Sequence, residues 1–243
     1  MEKKKVLLMY SGGLDSILSM VRLISEGYKV LLVHFDNGCS ISTGFEVERA
    51  LNFENGYGKD TVEYIGKLTI VPYFRDNERQ FANMSFSELQ DRYGNTTISQ
   101  IRCLNCRSAM YHEAIRYCLM NNVHVIAEGA RQSQLFSIEQ PKLIEGYKKL
   151  LNEFGIELLL PVYDMKDDLH KENELLLNGI LPVPSEDKCI LGMPLEEPVS
   201  ESQTDAINNI LEKNIKPRYV KELKKQLNIP QYPYKGKGRY EFD

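Results

Sequence analysis

The sequence predicts an open, mostly parallel α/β sheet that is doubly wound, with helices on both faces and a short helical extension at its C-terminal end. Short runs dominated by Val, Ile and Leu recur along the chain, which is typical of strands buried on both sides. Segments whose apolar residues recur with helical spacing lie between these runs, and glycine-containing turns join them. This alternation indicates right-handed crossovers and a Rossmann-like sheet.

The pattern places five strands and four helical segments in chain order. Strands are expected at residues 6–10, 29–35, 67–71, 123–128 and 157–160, and helices at residues 14–25, within 44–65, at 106–120 and at 142–154. Residues 76–100 are polar and weakly patterned, so we expect them to form a mobile cover near the site rather than a core layer. Residues 1–195 are predicted to form one domain.

The chain changes character after residue 195. Residues 196–243 are predicted to form an extension with amphipathic helices at residues 203–213 and 217–227, followed by a segment rich in Pro, Gly, Tyr and Lys. Its basic residues are Lys216, Arg218, Lys221, Lys224, Lys225, Lys235, Lys237 and Arg239, and its tyrosines are Tyr219, Tyr232, Tyr234 and Tyr240. Such a mixture suits looped or single-stranded RNA, although a solvated helix face has the same composition.

Charge and hydropathy exclude several classes of protein. The 243 residues carry a formal net charge of -4, so the chain lacks the strongly basic balance that would by itself indicate nucleic acid. Its apolar stretches all fall short of the roughly 18 residues of a membrane span, and the first of them ends at Ser11 without a cleavage site. We therefore expect a cytoplasmic protein with no membrane association. Five cysteines, an odd number, favour metal or catalytic roles over disulfides.

The stretch SGGLDS joins the first strand to the first helix, at the edge where open parallel sheets bind ligands. Free N–H groups at the helix start attract a phosphate, and Gly12 and Gly13 let the backbone approach an anion closely. Ser11 and Ser16 add hydroxyl donors, whereas the Asp15 carboxylate repels phosphates unless a divalent cation or backbone donors intervene. The alternative is an ordinary N-capping turn, which the same residue types also form.

The stretch resembles the PP-loop of the N-type ATP pyrophosphatases, which include GMP and NAD synthetases, tRNA thiolation enzymes and 7-cyano-7-deazaguanine synthase. It differs from the Walker A pattern, because no Gly-Lys-Ser/Thr follows. The resemblance implies an adenine nucleotide alpha hydrolase-like fold that cleaves ATP between its α- and β-phosphates. A substrate oxygen attacks the α-phosphorus, pyrophosphate leaves, and a nucleophile attacks the adenylated carbon. It also implies that Asp15 and Ser16 are catalytic, with Asp15 placing Mg²⁺ or the loop.

Two further strand ends fit the same resemblance. His34, Phe35 and Asp36 end the second strand, where relatives line the adenosine pocket. After the fourth strand, Gly129 and Arg131 lie in a loop similar to the one that completes the nucleotide site in thiolation enzymes. The alternatives are ordinary packing for His34 and an isolated surface side chain for Arg131.

Three cysteines make a close pair and a distant third member. Cys103 and Cys106 are predicted to open a helix, whose dipole lowers thiol pKa, and such a pair can hold a metal, exchange disulfides or carry sulfur. With Cys189, they resemble the cysteines of the tRNA thiolation branch, which implies a four-iron four-sulfur cluster with one iron open. Cys39 and Cys118 lie outside this pattern, and Cys118 is expected in the core.

Other metals and other chemistries remain open at this point. Structural zinc normally has four protein ligands, so a zinc site needs His112 or Cys39 in addition to the three cysteines. A third possibility is a persulfide and a resolving cysteine without metal, the other mode known for thiolation relatives.

The expected function is that of an ATP-dependent sulfurtransferase. It acts on tRNA, on a smaller nucleobase-like substrate or on a carboxylate, with a separate sulfur donor and with a homodimer as one arrangement. The alternatives are an amide- or nitrile-forming ligase of the deazaguanine synthase or synthetase type, and a nucleotide-binding module without turnover.

Overall fold

The computed structural model describes residues 3–41, 44–82, 84–94, 96–134, 136–186, 188–189 and 199–227. Its strands are β1 (Lys5–Met9), β2 (Lys29–Asp36), β3 (Ser40–Ile41), β4 (Val62–Thr69), β5 (Val125–Glu128), β6 (Glu157–Leu159) and β7 (Lys188–Cys189). Its helices are α1 (Leu14–Ser25), α2 (Phe45–Tyr57), α3 (Val71–Ala82), α4 (Phe86–Tyr93), α5 (Ile98–Asn121), α6 (Pro141–Asn152), α7 (Asp168–Leu177), α8 (Glu201–Ile210) and α9 (Lys216–Leu227).

The main sheet confirms the predicted fold class. Its five strands are parallel and follow the order β4-β2-β1-β5-β6, while β3 and β7 pair separately as a short antiparallel ladder. The chain runs outward from β1 in one direction through β2 and β4, and in the other through β5 and β6. The carboxyl end of β1 therefore faces the crevice where the strand order reverses, and α/β sheets bind ligands there.

Two buried apolar clusters, one from each set of flanking helices, cover the sheet. One joins the strands to α1 and α7 through Leu18, Leu23 and Leu175. The other joins them to α5, α6 and the C-terminal helices, which contribute Ile207 and Tyr219. The helices of the predicted extension thus pack into the same core as the sheet, and the boundary at residue 195, within the undescribed residues 190–198, stays a prediction.

Strand β4 begins earlier than the sequence pattern predicts. The apolar run suggested residues 67–71, but the strand occupies Val62–Thr69, while α2, Phe45–Tyr57, lies within the predicted range. Glu63 and Lys67 interrupt the apolar pattern, and the pairing with β2 shifts register between Leu32 and Val33. The polar residues break up the apolar run on which the prediction rested, and the register shift became visible only in the structure.

The polar segment at residues 76–100 is helical, which corrects its interpretation as a cover outside the core. Within it, α3 packs on α5, where Phe74 and Asn77 are buried. Asn77 Nδ2 donates a hydrogen bond to the backbone carbonyl of Asn105 at 2.8 Å. A capping box at Ser85 begins α4. Short helices with many charged residues carry a weak apolar pattern, which explains the error.

Helix α5 also starts earlier than predicted. Thr97 and Gln100 form a capping box that begins the helix at Ile98, so Cys103 and Cys106 lie inside α5 rather than at its first turn. At the other end of the chain, α8 continues into α9 through a π-helical turn, Leu211–Ile215, in place of two separate helices. The basic and aromatic residues from 232 to 240 lie outside the described residues.

In the portion of the chain that the structure describes, every helix is too short or too polar to cross a membrane.

Candidate active site

A cavity of about 590 Å³ opens at the carboxyl edge of the sheet, beyond β1, β2 and β5. Ten of the predicted site residues line it: Ser11, Gly13, Asp15, Ser16, His34, Phe35, Cys103, Cys106, Gly129 and Cys189. Three others do not: Gly12, Asp36 and Arg131. The SGGLDS loop and the three cysteines therefore share one cavity, although Ser11 and Cys189 are 178 positions apart in the sequence.

The SGGLDS loop presents the start of α1 to this cavity. Gly13 is the N-cap residue, and no side chain in the described residues caps its helix. The Ser11 hydroxyl accepts a hydrogen bond from the Gly13 N–H at 3.2 Å, and Ser16 Oγ donates to the Gly13 carbonyl at 2.8 Å. The loop is thus shaped by its own serines, and the Glu186 carboxylate lies close to Gly13 at the start of the helix. Free N–H groups at a helix start attract an anion, so a bound phosphate would compete with this carboxylate.

Close backbone contacts make two glycines necessary around the loop. Gly12 has φ +84°, and a Cβ there would lie 2.8 Å from the Ser185 carbonyl oxygen. A Cβ on Gly129 would lie 2.7 Å from the backbone of both Asp15 and Ser16. The loop after β5 therefore rests directly on the SGGLDS loop, and the close approach explains why glycine occupies position 129.

Two cations neutralise the Asp15 carboxylate. Lys171 Nζ lies 3.0 Å and Arg131 Nε lies 3.1 Å from Asp15 Oδ1, and Gln134 Nε2 donates to Oδ2 at 2.9 Å. Asp168 contacts both cations at 2.9 Å. An acid beside a phosphate site is tolerated here because buried positive charge surrounds it, which supports a role for Asp15 in positioning the loop and its cations.

Lys171 is a site residue that the sequence patterns do not predict. Its side chain is only 7% exposed, and it reaches Asp15 across 156 positions of the chain. A lysine in the polar first turns of a short helix carries no sequence signal for this contact. Arg131 pairs with Asp15 and Asp168, and its predicted place in the nucleotide site stays a prediction.

The end of β2 contributes two of its three predicted residues to the cavity. His34 is buried, and its Nδ1 lies 3.2 Å from the Tyr10 carbonyl oxygen, while Phe35 lines the cavity beside it. Asp36 does not line the cavity, and its carboxylate accepts a hydrogen bond from the Gly38 N–H at 2.9 Å. Asp36 therefore shapes the turn after β2.

The turn after β2 also organises the cysteines. Asn37 Nδ2 donates to Cys106 Sγ at 3.4 Å, and Ser40 of β3 pairs with Cys189 of β7. Cys39 was expected outside the cysteine group, but burial and then the neighbouring Cys189 thiol raise its pKa. A fourth cysteine thus lies beside the third one, and Cys118 is buried in the core as expected.

The thiols differ from the prediction in their acidity. Burial raises the pKa of Cys106 to about 12, although the Asn37 hydrogen bond partly offsets it. Burial also raises the pKa of Cys103, with a further contribution from Cys189. The helix dipole was expected to lower the pKa of these thiols. It does not do so, because the cysteines lie beyond the first turn of α5, where the effect of the dipole is weak.

The side chains around the cavity determine which metals could bind there. The described residues contain no group of three His, Cys, Asp or Glu side chains already placed to hold a metal ion. The donor chemistry fits an iron–sulfur cluster, because three soft thiols line one cavity. His112 does not fit as a zinc ligand with them, since it is fully buried between Tyr73 and Tyr219 and does not line the cavity.

A parallel sheet with this strand order and an SGGLDS loop after β1 are the features of the PP-loop superfamily. The family model described as "Thiamine biosynthesis protein (ThiI)" matches residues 1–145. The chain therefore belongs to the ThiI family. Among the curated proteins, no significant match was found.

A solved structure shares the fold. A 4-thiouridine synthetase in complex with RNA and bound ATP superposes with a TM-score of 0.59 at 15% identity, over 90% of this chain and 53% of that one. This chain thus corresponds to about half of that protein. NMN synthetase from Francisella tularensis (TM-score 0.49, 11% identity, 96% and 90% covered) is a more distant neighbour. A predicted subunit of tRNA methyltransferase from Methanocaldococcus jannaschii superposes with a TM-score of 0.44 at 15% identity, over 79% of this chain and 100% of that one.

Proposed function

We propose that the protein is an ATP-dependent sulfurtransferase that adenylates a carbonyl oxygen of a tRNA base and replaces that oxygen with sulfur. The observation that carries the proposal is the single cavity lined by both the SGGLDS loop and three cysteines. Activation of the carbon and delivery of sulfur to it must occur at the same place, so a shared cavity is what this chemistry needs.

The residues around the loop account for the ATP step. The N-terminus of α1 and the hydroxyls of Ser11 and Ser16 bind the phosphates, and Mg²⁺ arrives with the nucleotide. Lys171 and Arg131 hold positive charge beside the loop, where negative charge develops on the leaving pyrophosphate. Asp15 keeps both cations in place before ATP binds.

The cysteines account for the sulfur step. Cys103, Cys106 and Cys189 would hold a four-iron four-sulfur cluster, whose remaining iron would supply a binding position for sulfide. The protein positions the ligands from three directions, because α5 carries the pair, Asn37 contacts Cys106 and the β3–β7 ladder holds Cys189.

RNA as the substrate rests on the family and on the fold shared with a synthetase whose solved complex contains RNA and ATP. The described part of the basic C-terminal region contributes less than the sequence suggested. Lys216 pairs with Glu212 at 3.1 Å and Lys224 with Glu153 at 3.2 Å, so part of its charge is already balanced.

An anaerobic assay with Mg²⁺, ATP, sulfide and a transcribed tRNA tests the proposal. We expect RNA-dependent release of AMP and pyrophosphate, and a drop of about 10²-fold in Asp15→Asn, because its two cations lose the charge that positions them. Asp168 still contacts both cations, so the variant should fold. Asp60→Asn, at an exposed loop, is the matched control.

Two outcomes would reject the proposal. ATP binding with no AMP or pyrophosphate under any of these conditions would indicate a nucleotide-binding module. An amide or nitrile product formed with ammonia in place of sulfide would indicate a ligase.

A further inference from the structure

Two buried carboxylates share one arginine at the wall of the cavity. Arg107 of α5 forms an ion pair with Glu128 at the end of β5, and its Nη2 lies 3.6 Å from Glu139 Oε1. Glu128 is 2% and Glu139 is 5% exposed, and all three residues line the cavity. One guanidinium thus faces two carboxylates, so this wall holds either an excess negative charge or a proton.

Glu139 is the carboxylate with unused hydrogen-bonding capacity. It ends the 3-10 turn Ser137–Glu139, and its Oε2 is buried without a hydrogen-bond partner in the described residues. A buried acceptor without a partner is unfavourable unless a ligand satisfies it. The apolar side chains of Phe136, Ile138 and Met110 line the same cavity, and they offer packing surface to a flat ring.

The adenylation step needs a proton acceptor at a specific atom. When a carbonyl oxygen attacks the α-phosphorus, the bond from phosphorus to pyrophosphate breaks and the carbonyl carbon shares a double bond with the adjacent ring nitrogen. If that nitrogen carries hydrogen, its proton must leave, or the adenylated ring keeps a positive charge.

We propose that Glu139 is the general base of this step and that its Oε2 accepts the proton from the ring N–H beside the reacting carbonyl. The inference rests on the proposed function and narrows its substrate to nucleobases with an N–H next to the carbonyl, as in uracil. In the balanced step, the carbonyl oxygen gains a bond to phosphorus, pyrophosphate takes the electrons of the broken bond, and the carboxylate gains the proton.

The surroundings adjust Glu139 for this task. The pKa of Glu139 is raised to about 7, mainly because the side chain is buried. Arg107 and the backbone N–H of Arg131 partly offset this rise. Glu128 and Asp15 raise the pKa further, and the Tyr163 hydroxyl donates to the Glu139 backbone carbonyl at 2.9 Å. A base is most effective when its pKa lies near the working pH, and Glu139 is ionised above about pH 7.

The test measures RNA-dependent pyrophosphate release in single turnovers, with a transcribed tRNA, from about pH 5.5 to 8.5. In the wild type, the rate should rise with pH through about 7 and then level off. Glu139→Gln should lower the plateau by about 10²-fold or more and abolish the rise, with unchanged ATP affinity. Glu145→Gln, on the exposed face of α6, is the control.

Substituting 5-fluorouracil for uracil in the transcript separates catalysis from structure. Fluorine makes the neighbouring ring N–H more acidic, so the modified transcript should recover part of the activity of Glu139→Gln. Glu139→Asp keeps the carboxylate and should keep the rise with pH at a reduced rate. A purely structural role predicts instead a lowered melting temperature and equal losses with both transcripts, which would overturn the inference.

The two proposals fail differently. A wild-type enzyme that releases no pyrophosphate with any RNA would overturn the proposed function, and this inference with it, before any substitution is made. An active wild type whose pH profile and rate persist in Glu139→Gln would overturn the role of Glu139 alone.

Discussion

Asp15 shows how this chain places an acid beside a phosphate site. Its carboxylate contacts Lys171 and Arg131, and Asp168 contacts the same two cations from the other side. The four side chains form a network in which two positive and two negative charges balance. ATP would enter a site whose cations are already positioned, which is the condition for electrostatic stabilisation without reorganisation.

Removal of Lys171 should affect catalysis strongly. In Lys171→Gln, the loop keeps its backbone hydrogen bonds but loses one of the two cations that pair with Asp15, so pyrophosphate release should fall by about 10²-fold. Lys166→Gln, at an exposed position nearby, should retain full activity. Equal rates in the two variants, measured by pyrophosphate release at saturating ATP, would remove Lys171 from the site.

The cysteines should differ sharply in reactivity in the metal-free protein. Cys189 is exposed, whereas burial raises the pKa of Cys106 to about 12, so little Cys106 thiolate exists at about pH 8. Iodoacetamide should therefore alkylate Cys189 first and leave Cys106 largely unmodified, as peptide mass spectrometry can measure. In urea, all five cysteines should react. Labelling of Cys106 as fast as Cys189 in the folded protein would contradict the buried geometry.

Individual residues were predictable where local sequence determines their role. Ser11, Gly13 and Ser16 act through a loop of six residues, and the sequence alone identifies them. Lys171 and Glu139 act through contacts that form only when distant elements meet, so periodicity and motif spacing give no signal for them. The same reason hid the proximity of Cys39 to Cys189, which depends on the β3–β7 ladder.

At the scale of elements, the site depends on one contact between the loop after β5 and the start of α1. A methyl group on Gly129 would meet the Asp15 and Ser16 backbone at 2.7 Å, and backbone atoms cannot move aside as a flexible side chain can. Gly129→Ala should therefore destabilise this junction by about 1–3 kcal/mol.

Thermal melting with and without ATP measures this effect. The rise in melting temperature caused by ATP should shrink in Gly129→Ala, because the junction forms part of the nucleotide site. Gly56→Ala is the matched control, since a Cβ there meets nothing within 4 Å in helix α2, and it should stabilise by about 0.5–1 kcal/mol. An unchanged ATP-induced shift in Gly129→Ala would show that the junction does not support binding.

The strength of each local pattern decided which elements the sequence predicted. β1, α1 and β2 were close to their observed bounds because their apolar residues are nearly continuous or strictly periodic. The sequence did not predict α3 and α4, because few of their residues are buried. Their contacts with α5 and α8 form only in the folded chain, so the local pattern does not show them. The start of α5 depends on a capping box that a polar segment concealed.

At the scale of the whole molecule, the fold brings distant segments to one edge. The SGGLDS loop follows β1, Cys103 and Cys106 lie in the first half of α5, and Cys189 ends β7. A doubly wound sheet places the carboxyl ends of its strands together, so the ATP site and the cysteines meet in one cavity without a separate domain for either. The C-terminal helices support the same face through the core that contains Tyr219.

One anaerobic reaction, followed by nucleoside mass spectrometry, can compare the pyrophosphate released with the sulfur incorporated into tRNA. For the wild type, we expect equal amounts of pyrophosphate and thionucleoside. We expect Cys189→Ala to bind ATP and release pyrophosphate but to form no thionucleoside. A Cys189→Ala enzyme that thiolates tRNA as the wild type does, or a wild type that releases pyrophosphate with tRNA and sulfide and leaves no sulfur in the RNA, would contradict the proposed function.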